Sequence, residues 1–432
     1  MLWVVYNILF SVGYVMMLPH FLLRMRRRGG YRKGFLQRVA VYPAELKQKI
    51  RERRRIWIHA VSVGEIYVAL RYMREMREQR PDLAFVLSTT TSTGHRVAES
   101  RLSEDDVLLY YPADFPCVVR HALRTVDPVC LVLTESEIWP NMIRAAARRG
   151  APVVIINGRI SHSSHRGYRL LKVFFSKIIR LVDLTFVQTE GDRQRLIDLG
   201  GNSDRIQVAG SAKYDVADAG SSVESPMDAW LEQLGWSDRL VLLGGSTWQG
   251  EESVLADIYM HLRNRVDNLR LILAPRHAER GDEVESALGE RGLKVMRRSR
   301  AGSNSDGLAG RPDVVLVDTT GELMSFYACA DVIFIGKSLT NHGGQNIIEP
   351  AVFGKAVVVG PNMENFPDVM GDFMEVGALV QVKDAAELER ALGRLLDDAE
   401  ERAALGERAR QVVEAKRGVV RDSVRRIVEV LN

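Results

Sequence analysis

Short runs of consecutive apolar residues, many of them β-branched, recur along the chain, and helical stretches separate them. Continuous rather than alternating apolar character predicts parallel strands that are covered on both faces. Between them, stretches such as 253–265 carry their apolar residues on one stripe, which predicts helices. The predicted strands are 56–60, 85–88, 130–133, 153–156 and 184–187 in the first half, and 240–243, 269–273, 314–317, 332–335 and 356–359 in the second.

This strand–helix alternation falls into two blocks, which predicts two doubly wound α/β domains. A chain of 432 residues is also too long for one ordinary domain. A stretch rich in Ala, Asp, Ser and Gly, without an apolar period, separates the blocks. We therefore predict an N-terminal helix over 1–23, a first domain over 24–215, a linker over 216–236, a second domain over 237–410, and a C-terminal helix over 411–432 that packs back onto the first domain.

The N-terminal segment is apolar from residue 2 to residue 23 apart from Asn7, Ser11 and His20. About 20 apolar residues suffice to span a bilayer as a helix. A cleaved signal peptide carries positive charge before its apolar run, whereas here the arginines follow the run, from Arg24 onward. This polarity predicts a retained membrane anchor with the rest of the chain on the cytoplasmic side. The alternative is a soluble protein whose first helix docks in its own core.

Charge is unevenly distributed along the chain. The net charge is only +4, yet residues 24–55 contain thirteen Lys and Arg against two Glu. Next to an apolar anchor, such a block favours an anionic membrane surface over nucleic acid as its partner. The three cysteines have neither disulfide nor zinc spacing, which is typical of a reducing compartment.

The most informative stretch is 336–350, which follows the predicted strand 332–335. Its glycine pair Gly343–Gly344 would let the backbone approach a ligand closely, and a helix predicted at 351–354 would offer unpaired N–H groups to a phosphate. Glu349 would accept hydrogen bonds from ribose hydroxyls. This arrangement is typical of two-domain glycosyltransferases that bind a sugar nucleotide. An ordinary turn whose glutamate faces solvent is the alternative.

Candidate residues in the first block also follow predicted strands. Glu65 would open a helix, where a carboxylate stays charged and can act as a base, or it would merely cap that helix. Glu135 and Glu137 share a face if the chain stays extended, so that one could accept a hydrogen bond in a site; otherwise they flank a turn. Lys213 could meet an anionic group or be a solvated charge.

The second block has similar turns after its strands. Arg276 presents a planar fork suited to phosphate or carboxylate, and Gly321 would allow backbone contact with a base or ribose. Each turn is a weak signal alone, but several at successive strand ends indicate a ligand site. The sequence contains no metal-ligand spacing, D-x-D pair, P-loop or nucleophile elbow, which disfavours hydrolase and kinase functions.

Taken in order, these motifs resemble those of the Kdo transferase family (3-deoxy-D-manno-octulosonic acid transferases of lipid A synthesis). The resemblance covers essentially the whole chain. It implies a GT-B fold, with two Rossmann-like domains facing a central cleft, that transfers Kdo with inversion from CMP-Kdo to a lipid A precursor, lipid IVA. It further implies no metal or cofactor, no nucleic-acid partner, and attachment to inner-membrane lipids on the cytoplasmic face. The motifs are 57–65, 135–141, 210–215, 275–277, 321–323 and 343–346.

The resemblance also implies roles for single residues. Glu65 would be the base that deprotonates the acceptor hydroxyl, and Glu135 and Lys213 would support the transition state. The residues implied to bind CMP are Pro275, Arg276, Thr320, Gly321, Glu322, Asn346, Ile347, Ile348 and Glu349. Ile347–Ile348 departs from the family pattern, which has a Pro-Leu-like pair there. The alternatives are a membrane-associated GT-B transferase using a UDP-sugar, a hydrolysing sugar-nucleotide epimerase and a non-catalytic sugar-nucleotide sensor.

Overall fold

A computed structural model describes residues 2–28, 34–217, 226–300 and 311–431. The chain divides into two compact units. Unit 1 contains Met1–Val216 together with Arg417–Asn432, and unit 2 contains Ala217–Lys416. Each unit is built around its own parallel sheet.

The sheet of unit 1 has seven strands in the order β3-β2-β1-β4-β5-β6-β7, and all of its described pairs are parallel. The strand order reverses between β1 and β4, so the carboxyl ends of these two strands flank the topological switch point, where open α/β sheets bind ligands. The strands are β1 Ile56–Ala60, β2 Phe85–Thr89, β3 Val107–Tyr110, β4 Cys130–Thr134, β5 Val153–Gly158, β6 Leu184–Val187 and β7 Ile206–Val208.

The sheet of unit 2 is also seven-stranded and parallel, in the order β10-β11-β9-β8-β12-β13-β14. Its switch point lies between β8 and β12. The strands are β8 Leu240–Thr247, β9 Leu269–Pro275, β10 Val295–Arg297, β11 Val314–Leu316, β12 Val332–Ile335, β13 Ala356–Val359 and β14 Val380–Gln381.

Most consecutive strands are joined through a helix, as is usual for parallel pairing. Those of unit 1 are α1 Leu2–Arg28, α2 Ala44–Arg51, α3 Val63–Gln79, α4 Ser92–Glu99, α5 Pro116–Val126, α6 Pro140–Arg148, α7 His162–Leu170, α8 Lys172–Ile179, α9 Glu190–Asp198, α10 Lys213–Val216 and α19 Val419–Leu431. Those of unit 2 are α11 Pro226–Gln233, α12 Glu251–Leu262, α13 Gly281–Gly289, α14 Leu323–Cys329, α15 Ile348–Ala351, α16 Pro367–Glu375, α17 Ala385–Asp397 and α18 Ala399–Lys416.

All ten predicted strands are present, but the helix boundaries near the site differ from the prediction. α12 begins at Glu251 rather than at residue 253. The helix predicted at 351–354 is the single turn α15, which begins at Ile348. Part of the predicted linker is helix α11, Pro226–Gln233, which belongs to unit 2. Leu231 in this helix and Trp236 just after it are buried.

The N-terminal helix α1 is long and apolar enough over Leu2–His20 to cross a membrane. It is not detached from the rest of unit 1, because Trp3 and Tyr6 pack against Phe174 at ring-centroid distances of 5.2 and 5.4 Å. The Tyr6 hydroxyl donates a hydrogen bond of 2.8 Å to Asp114. One side of α1 therefore docks on unit 1. Its other side is exposed at Val4, Val5, Ile8, Leu9, Val12, Val15, Met16 and Met17.

The last helix, α19, packs on α3 within unit 1. Val420, Val424 and Ile427 share a buried cluster with Ile66 and other residues of α3. The Asp215 carboxylate accepts hydrogen bonds of 2.7 Å from the backbone N–H groups of residues 418 and 420, which fixes the start of the helix. The C-terminal residues thus complete the core of the first domain.

Candidate active site

Glu65 lies at the switch point of unit 1, in the first turn of α3 and directly after β1. Its carboxylate accepts hydrogen bonds from the backbone N–H groups of Val61 and Ser62 at 3.0 and 3.1 Å, and from the Thr134 hydroxyl at 2.7 Å. The Ser62 hydroxyl in turn accepts from the Glu65 N–H, which completes a capping box. Glu65 therefore does cap the helix, and the same three donors fix its carboxylate in one orientation.

Glu135 and Glu137 follow β4, on the other side of the same switch point. The chain does not stay extended here: Glu135 has φ 51° and begins a turn, so the alternative of a turn before Pro140 is correct. The Trp139 indole N–H donates to Glu137 at 2.9 Å. A non-glycine residue in the left-handed region is costly and is found disproportionately at functional sites. The turn places both carboxylates near Glu65.

The pKa values reflect this crowding of carboxylates. Burial raises the pKa of Glu135, the Glu65 charge adds to the effect, and Lys213 and Arg159 oppose it. Burial, reinforced by the charges of Glu65 and Glu135, raises the pKa of Glu137 to about 7. At neutral pH this site therefore holds a carboxyl group that is close to half-protonated.

Asn157 connects these groups to Lys213. It is buried at the end of β5, its side-chain N–H reaches Glu135 at 3.4 Å, and its side-chain oxygen accepts from the Ala212 N–H at 3.0 Å. Ala212 precedes Lys213, which begins α10. The ends of four strands or their following loops thus bring Glu65, Glu135, Glu137 and Lys213 together in unit 1.

In unit 2 a buried carboxylate, Glu251, organises the switch point. It accepts four backbone N–H groups: that of Trp248 in the β8–α12 loop at 2.8 Å, and those of Lys337, Ser338 and Leu339 after β12 at 2.8 to 3.0 Å. Because the two loops leave the central strands β8 and β12, Glu251 holds together the backbone that borders the switch point.

This backbone is unusually tight. Ser246 and Lys337 both have positive φ, 53° and 59°, although neither is glycine. Between them, a Cβ on Gly336 would clash with the Thr247 backbone, so only glycine fits there. Ser246 lies at an irregularity of β8. Lys337 follows β12 and donates its N–H to Glu251. Non-glycine residues with positive φ are found disproportionately at functional sites, and here two of them border the switch point.

Arg276, which follows β9 directly, and Glu349, which lies in α15, are close enough for their charges to interact. Burial raises the pKa of Glu349, while the hydrogen bond from the Asn346 amide, 3.1 Å long, and the Arg276 charge oppose the rise. Arg276 itself is exposed, and Pro275 before it is buried as the last residue of β9. An exposed guanidinium next to a largely buried carboxylate can bind a phosphate while the carboxylate accepts from hydroxyl groups.

The loop around Glu349 differs from the sequence expectation in two respects. α15 is one turn, and the N–H of its first residue, Ile348, already donates to the Asn346 side chain at 3.1 Å. Gly343 and Gly344 have φ 111° and 67°, and a Cβ on either would clash with Asn365 or Met363. The positive φ angles favour glycine at both positions, and α15 is too short to offer a phosphate the dipole of a long helix. Ile347 and Ile348 are both buried.

Thr320, Gly321 and Glu322 follow β11. Thr320 and Gly321 are exposed, and Gly321 has φ 91°, with open space among the described residues where a side chain would begin. Glu322 is bound by the Arg298 guanidinium at 2.7 Å and by the Thr319 hydroxyl. Hydrogen bonds from Arg298 hold the pKa of Glu322 below its usual value. The loop is therefore fixed at Glu322 and open at Thr320–Gly321.

Comparison with known proteins assigns both units. Residues 33–216 match the family profile of 3-deoxy-D-manno-octulosonic-acid transferases (kdotransferases), and residues 308–412 match that of glycosyl transferases group 1. The chain is 35% identical over 375 residues to the 3-deoxy-D-manno-octulosonic acid transferase of Bordetella pertussis, covering 85% of each chain. It is 30% identical over 398 residues to that of Haemophilus influenzae, covering 92% of this chain and 90% of the relative.

The chain belongs to the Kdo transferase family. Its fold is also similar to that of UDP-GlcNAc 2-epimerase from Neisseria meningitidis, with a TM-score of 0.57 at 13% identity over 87% of this chain and 99% of the other. At that identity the likeness concerns the fold alone. The two seven-stranded parallel sheets with flanking helices are the two Rossmann-like domains of a GT-B glycosyltransferase.

Sequence reasoning overlooked two residues of this Kdo transferase site, Asn157 and Glu251. Asn157 stands in an Asn-Gly pair at a strand end, which is a turn signal. Glu251 follows Gly250, in a Gly-Glu-Glu run at a helix start. Their partners are backbone N–H groups contributed by other segments, up to 88 residues away along the chain. Such contacts leave no pattern in the sequence itself.

Proposed function

We propose that this protein transfers 3-deoxy-D-manno-octulosonic acid from CMP-Kdo to the glucosamine disaccharide of a lipid A precursor, lipid IVA, with inversion at the anomeric carbon. Membership of the Kdo transferase family supports the donor and the class of acceptor. The observation that carries the proposal is the fixed carboxylate of Glu65 at the switch point of unit 1, where an acceptor hydroxyl would find a base.

In the proposed reaction Glu65 removes the proton from the acceptor hydroxyl while its oxygen attacks the anomeric carbon of Kdo. The bond from that carbon to the phosphate oxygen breaks, and CMP leaves with both bonding electrons. Positive charge develops on the sugar and negative charge on the phosphate. Glu135 would offset the first, and Lys213 would offset the second. Removing one well-placed group of this kind typically slows a reaction about 100- to 1,000-fold.

Unit 2 would hold CMP. We assign the phosphate to Arg276, the ribose hydroxyls to Glu349 and Glu322, and contacts with the open backbone to Thr320–Gly321. Pro275, Asn346, Ile347 and Ile348 would shape the loops that carry these groups. A monophosphate leaving group carries less charge than a diphosphate, so we propose that no metal ion is required. Addition of EDTA should therefore leave the transfer rate unchanged.

We also propose that α1 attaches the protein to the cytoplasmic face of the inner membrane, where the acceptor lipid resides. The exposed apolar side of α1 and the basic segment that follows it support this location. Attachment would confine the search for the acceptor to two dimensions.

Mass spectrometry of tetraacylated lipid A precursor, incubated with detergent-solubilised protein and freshly generated CMP-Kdo, tests the proposed reaction. We expect a gain of one or more Kdo masses with the unmodified protein and almost none with Glu65→Gln. Inhibition by CMP but not UDP separates this activity from that of a UDP-sugar transferase. If a preparation that binds CMP adds no Kdo, the protein is not a transferase for this acceptor.

A further inference from the structure

A groove between α5 and α6 is lined by arginines and lies against the N-terminal part of α1. Arg120 and Arg124 are one helical turn apart on α5, and Arg144 and Arg148 are one turn apart on α6. The groove has a volume of about 280 Å³, and Asn7 of α1 completes its wall. Two rows of guanidinium groups thus border one cavity.

Three of the five arginines that line this groove have no anionic partner among the described residues. Within residues 2–28, 34–217, 226–300 and 311–431, Arg120, Arg124 and Arg148 form no ion pair or side-chain hydrogen bond, and the lining contains no Asp or Glu. A fifth lining arginine, Arg149, does have a carboxylate partner, Asp127 at 2.7 Å. Burial, together with the charge of Arg148, lowers the pKa of Arg144. Like charges held in one groove are stabilised when an anion binds between them.

An apolar surface adjoins the groove. The Arg144 guanidinium lies 4.3 Å above the ring of Trp3, and Trp3 packs edge-on against Phe174. A second hollow, with a volume of about 360 Å³, continues past Arg144 and Arg148 to Lys177 on α8. Three apolar residues near the α7–α8 junction are 57% to 86% exposed: Leu170, Leu171 and Val173. They add to the apolar surface on the exposed side of α1.

The groove is distinct from the catalytic groups. α6 begins at Pro140, just after the carboxyl end of β4, and runs back toward the amino ends of the strands. At 1.5 Å per residue, Arg148 lies about 12 Å along the helix axis from Pro140. The arginines therefore lie toward the edge of the sheet that is opposite Glu65 and Glu135.

We propose that the groove lined by Arg120, Arg124, Arg144 and Arg148 binds the phosphate group of an anionic phospholipid, such as phosphatidylglycerol, from the membrane that α1 contacts. The guanidinium groups match phosphate oxygens, and the exposed apolar side chains of α1 and the α7–α8 junction match acyl chains. A soluble phosphate compound would leave the apolar surface in water. A tryptophan next to arginines is typical of the level of lipid headgroups.

A lipid bound in this groove would also fix how α1 lies in the membrane. The basic groove lies beside the N-terminal turns of α1, and arginines from Arg24 to Arg28 form the other end of the helix. Helix α1 thus has positive groups near both of its ends, and one of its sides docks on unit 1. These features fit a helix that lies along the headgroup region of one leaflet. A helix that crossed the bilayer would carry its first turns away from the leaflet that unit 1 contacts.

Native mass spectrometry in a neutral detergent tests this site, which rests on the membrane association in the proposed function but not on catalysis. Full-length protein is titrated with phosphatidylglycerol, phosphatidylcholine and glycerol 3-phosphate. The test variant is Arg120→Gln/Arg124→Gln/Arg148→Gln, and the matched control removes three exposed arginines from other helices, Arg390→Gln/Arg421→Gln/Arg425→Gln. A third variant, with lysine at the three groove positions, keeps the positive charge but loses the planar guanidinium group and its paired N–H donors.

We expect the unmodified protein and the control to retain phosphatidylglycerol in preference to phosphatidylcholine. At about 1 kcal/mol, or fivefold, per arginine, the glutamine variant with three changes should bind it roughly 100-fold more weakly, and the lysine variant should be intermediate. Equal binding of both lipids, or undiminished binding by the glutamine variant, would overturn the proposal. Equally strong binding of glycerol 3-phosphate would overturn the assignment to a lipid.

The outcome is independent of the transfer assay. Selective lipid retention without Kdo transfer by the unmodified protein would leave the groove assigned and reject the proposed reaction. Kdo transfer without selective retention would reject the groove alone.

Discussion

The two switch points use carboxylates in opposite ways. In unit 1, Glu135 and Glu137 receive side-chain hydrogen bonds from Asn157 and Trp139, lie near the charge of Glu65, and have raised pKa values. In unit 2, Glu251 is saturated by four backbone N–H groups, and Glu322 is paired with Arg298. The first arrangement favours the protonated form of its carboxyl groups, and the second uses ionised carboxylates to fix loops. In the proposed function the first would face the reacting sugar and the second the nucleotide.

The largest expected effect separates the two roles of Glu65. Glu65→Gln removes the base and keeps only one side-chain oxygen, so its NH₂ group faces one of the two backbone N–H groups that bind separate oxygens of Glu65. We expect transfer to slow by about 100- to 10,000-fold, with a loss of about 1 kcal/mol in unfolding free energy that is too small to explain the slower rate. Rates are measured by mass spectrometry and stability by urea unfolding.

Ser62→Ala provides the matched control, because it breaks the capping box while leaving the Glu65 carboxylate. It should cost about 1 kcal/mol of stability and keep most of the activity. If both variants lost activity only in proportion to their stability, Glu65 would be a helix cap and nothing more.

The saturated carboxylate of unit 2 should be the more important one for folding. Glu251→Gln places an N–H₂ group against backbone donors and loses the charge. Since a hydrogen bond to a charged group contributes about 1.5 to 3 kcal/mol, we expect a loss of about 3 kcal/mol in unfolding free energy and weaker CMP binding. Urea unfolding and calorimetric titration with CMP measure the two effects.

Glu290→Gln is the control, since Glu290 is exposed on the same unit. It should change neither quantity. A Glu251→Gln protein as stable as this control would show that the loops after β8 and β12 do not depend on the carboxylate.

The sequence predicts the central strands well and the sheet edges poorly, for a physical reason. Strands such as β1 and β12 are covered on both faces, so their apolar runs are continuous. Four strands at the sheet edges, β3, β7, β10 and β14, were not among the ten predicted, and they are only two to four residues long. Such short segments resemble loops in a sequence.

The candidate site follows the same division. Glu65 and Glu135 are predictable because strand ends and a family motif mark them, and their catalytic roles stay predictions. The glycine pair Gly343–Gly344 is identifiable as special, but its packing against Asn365 and Met363 is not. The groove between α5 and α6 was not predicted from the sequence, because its arginines come together only when the two helices pack.

A smaller effect should distinguish the crowded carboxylates of unit 1 by pH. The pKa of Glu137 is raised to about 7 by burial and neighbouring charge, so the unfolded chain releases this proton first as pH rises. The protonated carboxyl therefore stabilises the fold below its ordinary pKa, and this contribution is lost as pH approaches 7. The unfolding free energy of Glu137→Gln, relative to that of the unmodified protein, should therefore rise by about 2 kcal/mol between pH 5 and pH 8. This figure allows for the partial exposure of the side chain.

Urea unfolding at four pH values measures this difference. Glu104→Gln, on the surface of the same unit, should show a constant difference from the unmodified protein. A constant difference for Glu137→Gln as well would mean that Glu137 is already ionised in the folded protein, and that unit 1 does not hold its carboxylates near the protonation threshold.

The smallest expected effect concerns the attachment of α1 to unit 1. Asp114 is buried and accepts from the backbone N–H groups of Asn141 and Met142 as well as from the Tyr6 hydroxyl, and burial raises its pKa to about 6. Tyr6→Phe removes one of these bonds and keeps the ring packing on Phe174. A loss of about 1 kcal/mol should make the backbone amides near Tyr6 exchange about fivefold faster in hydrogen-exchange mass spectrometry.

Tyr14→Phe is the control, because the Tyr14 ring packs on Phe115 and its hydroxyl has no comparable partner among the described residues. Equal exchange in both variants would mean that ring packing alone docks the helix, and that Asp114 serves only the start of α6.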